Sequence, residues 1–198
     1  MKFFKENSYD VIRLLINQIG ITIFSLILYT SLGAVNIEIG TKRLINVSLS
    51  VFAMLFYFAL LYTVAWDWGA KDKIRIDGGR MKPDKLKGAK IAFLANVPNF
   101  LLTFVCVLTF AIFLLTGSQG CETVSRVFDL IIRLFMSMYL GVLQGIFSAL
   151  RSNENMFFFA QAIGYFVIPI LPICATQLGY TMGTKEKKIF GSSTPKKQ

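Results

Sequence analysis

The chain has no histidine, and only three cysteines and five prolines among its 198 residues. Without histidine, the sequence excludes Ser-His-Asp and Cys-His nucleophilic catalysis and the two-histidine zinc helix of metalloproteases. Charged residues are also scarce, at 16%, whereas hydrophobic residues make up 55%. This balance lies outside the range of soluble globular domains and predicts a protein embedded in a lipid bilayer.

The cysteines offer no alternative chemistry. No CxxC pair is present; Cys106 and Cys174 lie in apolar runs, and Cys121 follows the third of these runs. Cysteines in such positions usually behave as small buried hydrophobic residues or as unpaired thiols. Because no catalytic or metal-binding pattern is recognisable either, the sequence predicts a non-enzymatic protein without a cofactor or a metal.

Four long runs without a charged residue cover most of the chain. A helix needs about 20 mostly apolar residues to cross a hydrocarbon core about 30 Å thick. We therefore predict an all-α fold, a polytopic membrane helix bundle with transmembrane helices at about 14–36, 45–68, 91–116 and 156–183. Residues 1–184 would form a single transmembrane domain, and residues 185–198 a basic, mobile tail.

A fifth apolar segment, 126–150, is shorter in its uncharged part and carries charges in its first two turns. Asp129 lies three residues after Arg126 and four before Arg133, so the three side chains share one face of a helix. Such a charged face suits a proton or cation pathway within the membrane, or equally an amphipathic helix on its surface. The sequence predicts a fifth helix that is amphipathic, re-entrant or spanning.

Basic residues predict the orientation of the bundle, because Lys and Arg near span ends concentrate on the cytoplasmic side. With four spans and a cytoplasmic N-terminus, only five of the 21 Lys and Arg residues lie outside, at Lys42, Arg43, Arg126, Arg133 and Arg151. A fifth span would weaken this bias. We therefore predict four spans, a fifth helix that does not cross, and a location in a bacterial plasma membrane.

The densest charge lies between the second and third spans, at 69–90. This stretch contains no Phe, Tyr or Trp to stack on bases, which disfavours binding of nucleic acid. It predicts a cytoplasmic loop that faces the lipid and attracts anionic headgroups. Its eight basic residues are Lys71, Lys73, Arg75, Arg80, Lys82, Lys85, Lys87 and Lys90.

Two of the predicted spans contain proline, in one case beside polar side chains and in the other as a closely spaced pair. Asn96, Pro98 and Asn99 lie in the third span, and Pro169 and Pro172 lie in the last. Proline removes a backbone hydrogen bond, and a pair of interrupted spans is typical of a solute site at mid-depth. The alternative is that these prolines only shape helix packing.

Small residues recur every four positions in two places. Such spacing lets helix backbones approach closely, and it predicts tight packing of the two stripes against each other or against a partner chain. The first stripe is Ser137, Gly141, Gly145 and Ala149, and the second is Ala175, Gly179 and Gly183.

Two hypotheses of function follow from these patterns. The first is a non-enzymatic accessory or assembly subunit of a membrane complex, with a protein partner or a second copy of the chain bound through the small-residue stripes. The alternative is the protomer of an oligomeric small-solute or ion transporter or channel that uses Asp129 and the proline-broken spans. The lipid bilayer is a partner in both.

Overall fold

A computed structural model of the chain describes residues 2–33 and 38–187. Every regular element in these two ranges is helical, and residues 188–198 of the predicted tail lie outside them. Short 3-10 turns at Ser137–Tyr139 and Phe147–Ser152 flank the fifth helix. The helices are α1 Lys2–Gly33, α2 Ile39–Asp77, α3 Lys87–Thr116, α4 Gln119–Phe135, α5 Leu140–Ile146, α6 Glu154–Val167 and α7 Ile170–Thr184.

Four helical stretches are long and apolar enough to cross a membrane: α1, α2, α3, and α6 with α7 together. The predicted all-helical fold is confirmed for the described residues, and these four stretches are compatible with the predicted spans. The helices extend beyond the predicted spans, and α2 continues to Asp77. The loop predicted at 69–90 therefore shrinks to residues 78–86, because most of its first half is helix.

The two ends of the bundle differ in charge. The start of α1, the turn at 78–86 and the end of α7 lie together, since the Lys90 ammonium sits 5.7 Å from the centre of the Phe3 ring. At the same end, the indole N–H of Trp66 donates a 2.7 Å hydrogen bond to the carbonyl of Lys187. We call this the basic end, and the end where α2 begins and α3 finishes the opposite end.

Glycines hold α7 against α2, the most extensive helix pair in the bundle. Gly183 lies on the backbone of Trp66 and Gly179 on that of Tyr62, so the two helices run in the same direction. From α2, Gly69 reaches the backbone of Tyr180. The stripe predicted on the last span thus packs within the chain, on α2.

The fifth predicted segment is not one helix. The stretch Gln119–Phe135 and the stretch Ser137–Ser152 meet at an angle of 86°. At the break, the Thr22 hydroxyl of α1 donates a 2.8 Å hydrogen bond to the Phe135 carbonyl, and the Ser137 hydroxyl donates a 2.9 Å bond to the Thr22 carbonyl. This reciprocal contact satisfies a carbonyl at the end of α4, which has no partner within its own helix.

Beyond the break, α5 packs on the first half of α2. The Gly141 N–H donates a 2.9 Å hydrogen bond to the Ser50 hydroxyl, and Gly145 faces the side chain of Val47. Ala149, the last member of the predicted stripe, is exposed because the α-helix ends at Ile146. The glycines of both small-residue stripes therefore face α2 and not each other.

Candidate functional site

The predicted charged face of the fifth segment meets α6 inside the bundle. Asp129 is only 7% exposed, and its carboxylate lies 2.6 Å from Nε of Arg133. The two side chains lie one helical turn apart on α4 and form an ion pair. The Arg133 guanidinium also donates a 3.0 Å hydrogen bond to Oε1 of Gln161, which is fully buried. We call Asp129, Arg133 and Gln161 the polar cluster.

Buried groups near the polar cluster have unused hydrogen-bonding capacity. Within the described residues, Nε2 of Gln161 and the Tyr165 hydroxyl have no hydrogen-bond partner, although both atoms are buried. Gln161 and Tyr165 lie one turn apart on α6, so they share a face. An unpartnered buried polar group is rare in native structures, and each instance needs an explanation such as a functional role or an absent ligand.

Arg126, the third residue of the predicted face, does not join Asp129. Its guanidinium lies 3.5 Å from Glu122 and 3.6 Å from Glu154, and it sits 4.6 Å from the centre of the Phe158 ring. Its contact with Glu154 shows that the chain has returned, after the break, to the level from which α4 starts.

The two asparagines of the third span form a separate contact with α1. Nδ2 of Asn99 donates 3.1 Å hydrogen bonds to Oε1 of Gln18 and to Oδ1 of Asn96. Asn96 in turn donates to the Ala92 carbonyl at 2.9 Å. Among the described residues, no hydrogen bond or ion pair joins this set to the polar cluster, so its geometry is that of a link between helices.

The prolines do not create a pair of interrupted spans. Helix α3 continues through Pro98, which is exposed on its surface. Only the last span is interrupted, since Pro169 lies at the junction of α6 and α7 and Pro172 is buried in the first turn of α7. The described residues therefore contain one proline-interrupted span and not the predicted pair, and their sharpest break is the proline-free one at Met136.

A buried acid that sequence reasoning missed lies at the basic end. Asp72 is 2% exposed; it accepts hydrogen bonds from the Lys87 ammonium at 2.7 Å and from the Tyr180 hydroxyl at 3.1 Å. Arg75 approaches its other oxygen at 3.7 Å. Lys87 was predicted to face the lipid with the other loop cations, but its side chain is only 12% exposed and points at Asp72.

The turn at 78–86 is held to α7 and to the start of α3. Gln177 donates a 2.7 Å hydrogen bond to the Lys85 carbonyl and accepts one at 2.8 Å from the Ala89 N–H. Partial burial opposes ionisation of Asp84, but hydrogen bonds from the Lys90 ammonium and the Leu86 N–H outweigh it and lower the pKa of Asp84. The remaining loop cations lie at or near the surface, as at Lys73, which pairs with Asp77.

The donor set for a metal is missing from the part of the chain that the structure describes, since no three His, Cys, Asp or Glu side chains come together there. The three cysteines are free, and the buried Cys106 thiol donates to the Ser125 carbonyl at 3.4 Å. No family model, curated protein or solved structure matches the chain. The assignment of function therefore depends on the polar cluster and on the surfaces around it.

Proposed function

We propose that this protein is the protomer of a membrane ion or small-solute transporter or channel. In this proposal the basic end faces the cytoplasm, and the bent segment from Gln119 to Ser152 re-enters the membrane from the opposite side. The observation that carries the proposal is the polar cluster, an ion pair and an amide held inside the bundle beside a helix break. Charged groups at membrane depth are costly, and they persist mainly where an ion or solute uses them.

The geometry of the cluster supports a simple mechanism. Asp129 is the group that would take up and release a proton or a cation. Arg133 balances its charge and connects it to Gln161. The unpartnered Gln161 amide and Tyr165 hydroxyl supply further hydrogen bonds for a passing solute or water. Four spans with one re-entrant segment rarely enclose a pathway alone, so the working unit in this proposal is an oligomer.

Replacing Asp129 with asparagine tests this proposal. In vesicles containing the purified protein, we expect a proton or potassium flux under an imposed potential, and at least about a tenfold loss of that flux in Asp129→Asn, because the neutral amide can neither release a proton nor bind a cation as the carboxylate does. A pH-sensitive and a potassium-sensitive dye inside the vesicles report the two fluxes. Glu122→Gln is the matched control, since Glu122 lies on the same helix but is 36% exposed.

Two results would contradict the proposal that ions pass by way of Asp129. One is wild-type protein that reconstitutes as a folded species and passes neither protons nor potassium ions faster than empty vesicles. The other is a flux that Asp129→Asn leaves unchanged. A folding defect is separated from a transport defect by the elution volume and thermal transition of each variant in detergent.

An accessory subunit is the second candidate, and a feature of α1 favours it. Five isoleucines recur at intervals of three or four residues along this helix, and each is between 46% and 62% exposed. This spacing is the one that left-handed helix pairs use for their contact seam. The residues are Ile12, Ile16, Ile19, Ile23 and Ile27.

The intact mass of the protein extracted in a mild detergent distinguishes the two candidates. A foreign subunit present in fixed ratio, and released when Ile16 and Ile23 are both replaced by alanine, would support the accessory function. A closed oligomer of this chain alone would support the transporter or channel and would count against the accessory function.

A further inference from the structure

Few basic residues lie away from the basic end, and those that do lie close together. Within the described residues there are five, supplied by three separate elements: the start of α2, helix α4 and the 3-10 turn Phe147–Ser152. All five line one of two neighbouring recesses. Because Lys and Arg are normally depleted on the side of a membrane protein away from the cytoplasm, this grouping needs a cause.

The first recess has a volume of about 200 Å³ and lies between α1, α2 and α5. Among the described residues, three cations and no carboxylate line it. Amide and hydroxyl groups complete the wall, so an anion placed there meets several hydrogen-bond donors. The lining residues are Tyr29, Lys42, Arg43, Asn46, Gly141, Gln144 and Arg151.

The second recess has a volume of about 440 Å³ and lies between α4 and the start of α6. Arg126, Arg133 and Arg151 line it, together with one carboxylate, that of Glu154, which is 83% exposed. Phe157 and Phe158 form its apolar wall. Arg151 is common to both recesses, and no ion pair of this exposed arginine is found among the described residues.

We propose that the two recesses form one binding site for a phosphate-bearing anion, with Arg151 between them. The guanidinium fork matches a phosphate in geometry and charge, and several arginines around one recess are the usual means of holding it. The phosphate belongs either to a lipid headgroup, whose acyl chains would lie against the two phenylalanines, or to a soluble phosphate. The site stands independently of whether the protein carries ions.

Internal neutralisation does not explain the grouping. Asp129 pairs with Arg133 on the side of the bundle interior, and Glu122 and Glu154 approach only Arg126. Arg43 and Arg151 form no ion pair within the described residues, although both line the first recess. A bound anion would supply the charge that these two side chains lack.

Native mass spectrometry of the full chain, stripped of lipid by excess detergent, tests the site. The probes are phosphatidylglycerol, phosphatidylcholine with the same acyl chains, and inorganic phosphate. We expect the wild type to retain an anionic probe, and Arg151→Gln to weaken that binding about tenfold or more, as expected for a lost charge-assisted contact. Arg80→Gln is the matched control, because Arg80 is exposed at the basic end.

The outcomes distinguish a lipid phosphate from a soluble phosphate, and they also show whether the site exists. Binding of phosphatidylglycerol in preference to phosphatidylcholine, with no effect of inorganic phosphate, supports a lipid headgroup. Binding of inorganic phosphate, and its competition with the lipid, supports a soluble ligand. Equal retention of both lipids without phosphate binding would overturn the site, as would wild-type affinity in Arg151→Gln. If Arg151→Gln does not fold, Arg43→Gln must show the same loss for the site to stand.

Discussion

Replacing Gly183 with alanine is expected to lower the free energy of unfolding by about 3 kcal/mol, because the new methyl group has no space. A Cβ at this position would lie within 3.0 Å of the Ala70 backbone nitrogen and still closer to the Trp66 carbonyl oxygen. Both atoms belong to the backbone of α2, so no side chain can rotate to make room. Helix α7 would have to move away from α2, its most extensive partner.

The chain offers a matched control in Gly20, which also lies within a long helix. A Cβ there meets nothing within 4 Å. Gly20→Ala should therefore leave the fold intact and raise stability by about 0.5–1 kcal/mol, the usual gain in a helix interior. Thermal unfolding of the purified variants, followed by loss of the monodisperse elution peak, measures both. Equal stability of Gly183→Ala and the wild type would show that α2 and α7 do not pack this closely.

The four long apolar helices were predictable because a segment that crosses a membrane needs a long apolar run whose backbone hydrogen bonds are all made within the helix. Charges interrupt these runs at few places, so their approximate positions follow from composition. The ends of the helices do not follow from composition. Asp77 and Lys87 are both charged, yet they belong to helices that continue past the apolar run. A helix that leaves the hydrocarbon core can continue for several turns with ordinary polar residues.

The break at Met136 could not be predicted, since neither proline nor glycine occurs there. Its cause is tertiary: Thr22 comes from a helix more than 100 positions earlier in the chain and binds the Phe135 carbonyl that the bend leaves free. The pattern of charges correctly placed Asp129 beside Arg133, because that pairing is local. It could not reveal that Gln161 completes the cluster.

Small residues predicted close packing but not its partner. A stripe of glycines indicates only that another helix can pack closely there. Which helix does so depends on the topology of the whole bundle. The glycines of both stripes face α2, so they are not available for an interface on the surface of the bundle. This shift removes the main support for an accessory subunit in the sequence and leaves the isoleucine face of α1 as the feature that favours one.

Removal of the buried Asp72 carboxylate at the basic end should lower the free energy of unfolding about as much as Gly183→Ala. Asp72→Ala leaves the Lys87 ammonium and the Tyr180 hydroxyl without their acceptor, and neither group is well exposed. Breaking one partner of a buried pair typically costs about 3–5 kcal/mol, because the remaining charge stays desolvated. We expect a loss near the lower figure, since Lys87 lies at the end of the bundle and part of its charge can reach water.

Three further variants assign that loss to its cause. Tyr180→Phe removes only one hydrogen bond and should cost about 1 kcal/mol. Asp77→Ala removes an ion pair with Lys73 in which the Asp77 side chain is 56% exposed, so it should change the stability little. The double variant Asp72→Leu with Lys87→Met replaces both charges by apolar groups and should recover most of the stability. Unfolding in increasing denaturing detergent measures all four.

The double variant decides between two roles for the Asp72 pair. Recovery of stability would mean that the pair is only a structural link between α2, α3 and α7, and that a hydrophobic contact serves as well. A persistent loss would mean that the charge of Asp72 has a further partner at the basic end, where Arg75 approaches its second oxygen at 3.7 Å. The thermal transition should respond little to salt in either case, because the pair between Lys87 and Asp72 is shielded from solvent.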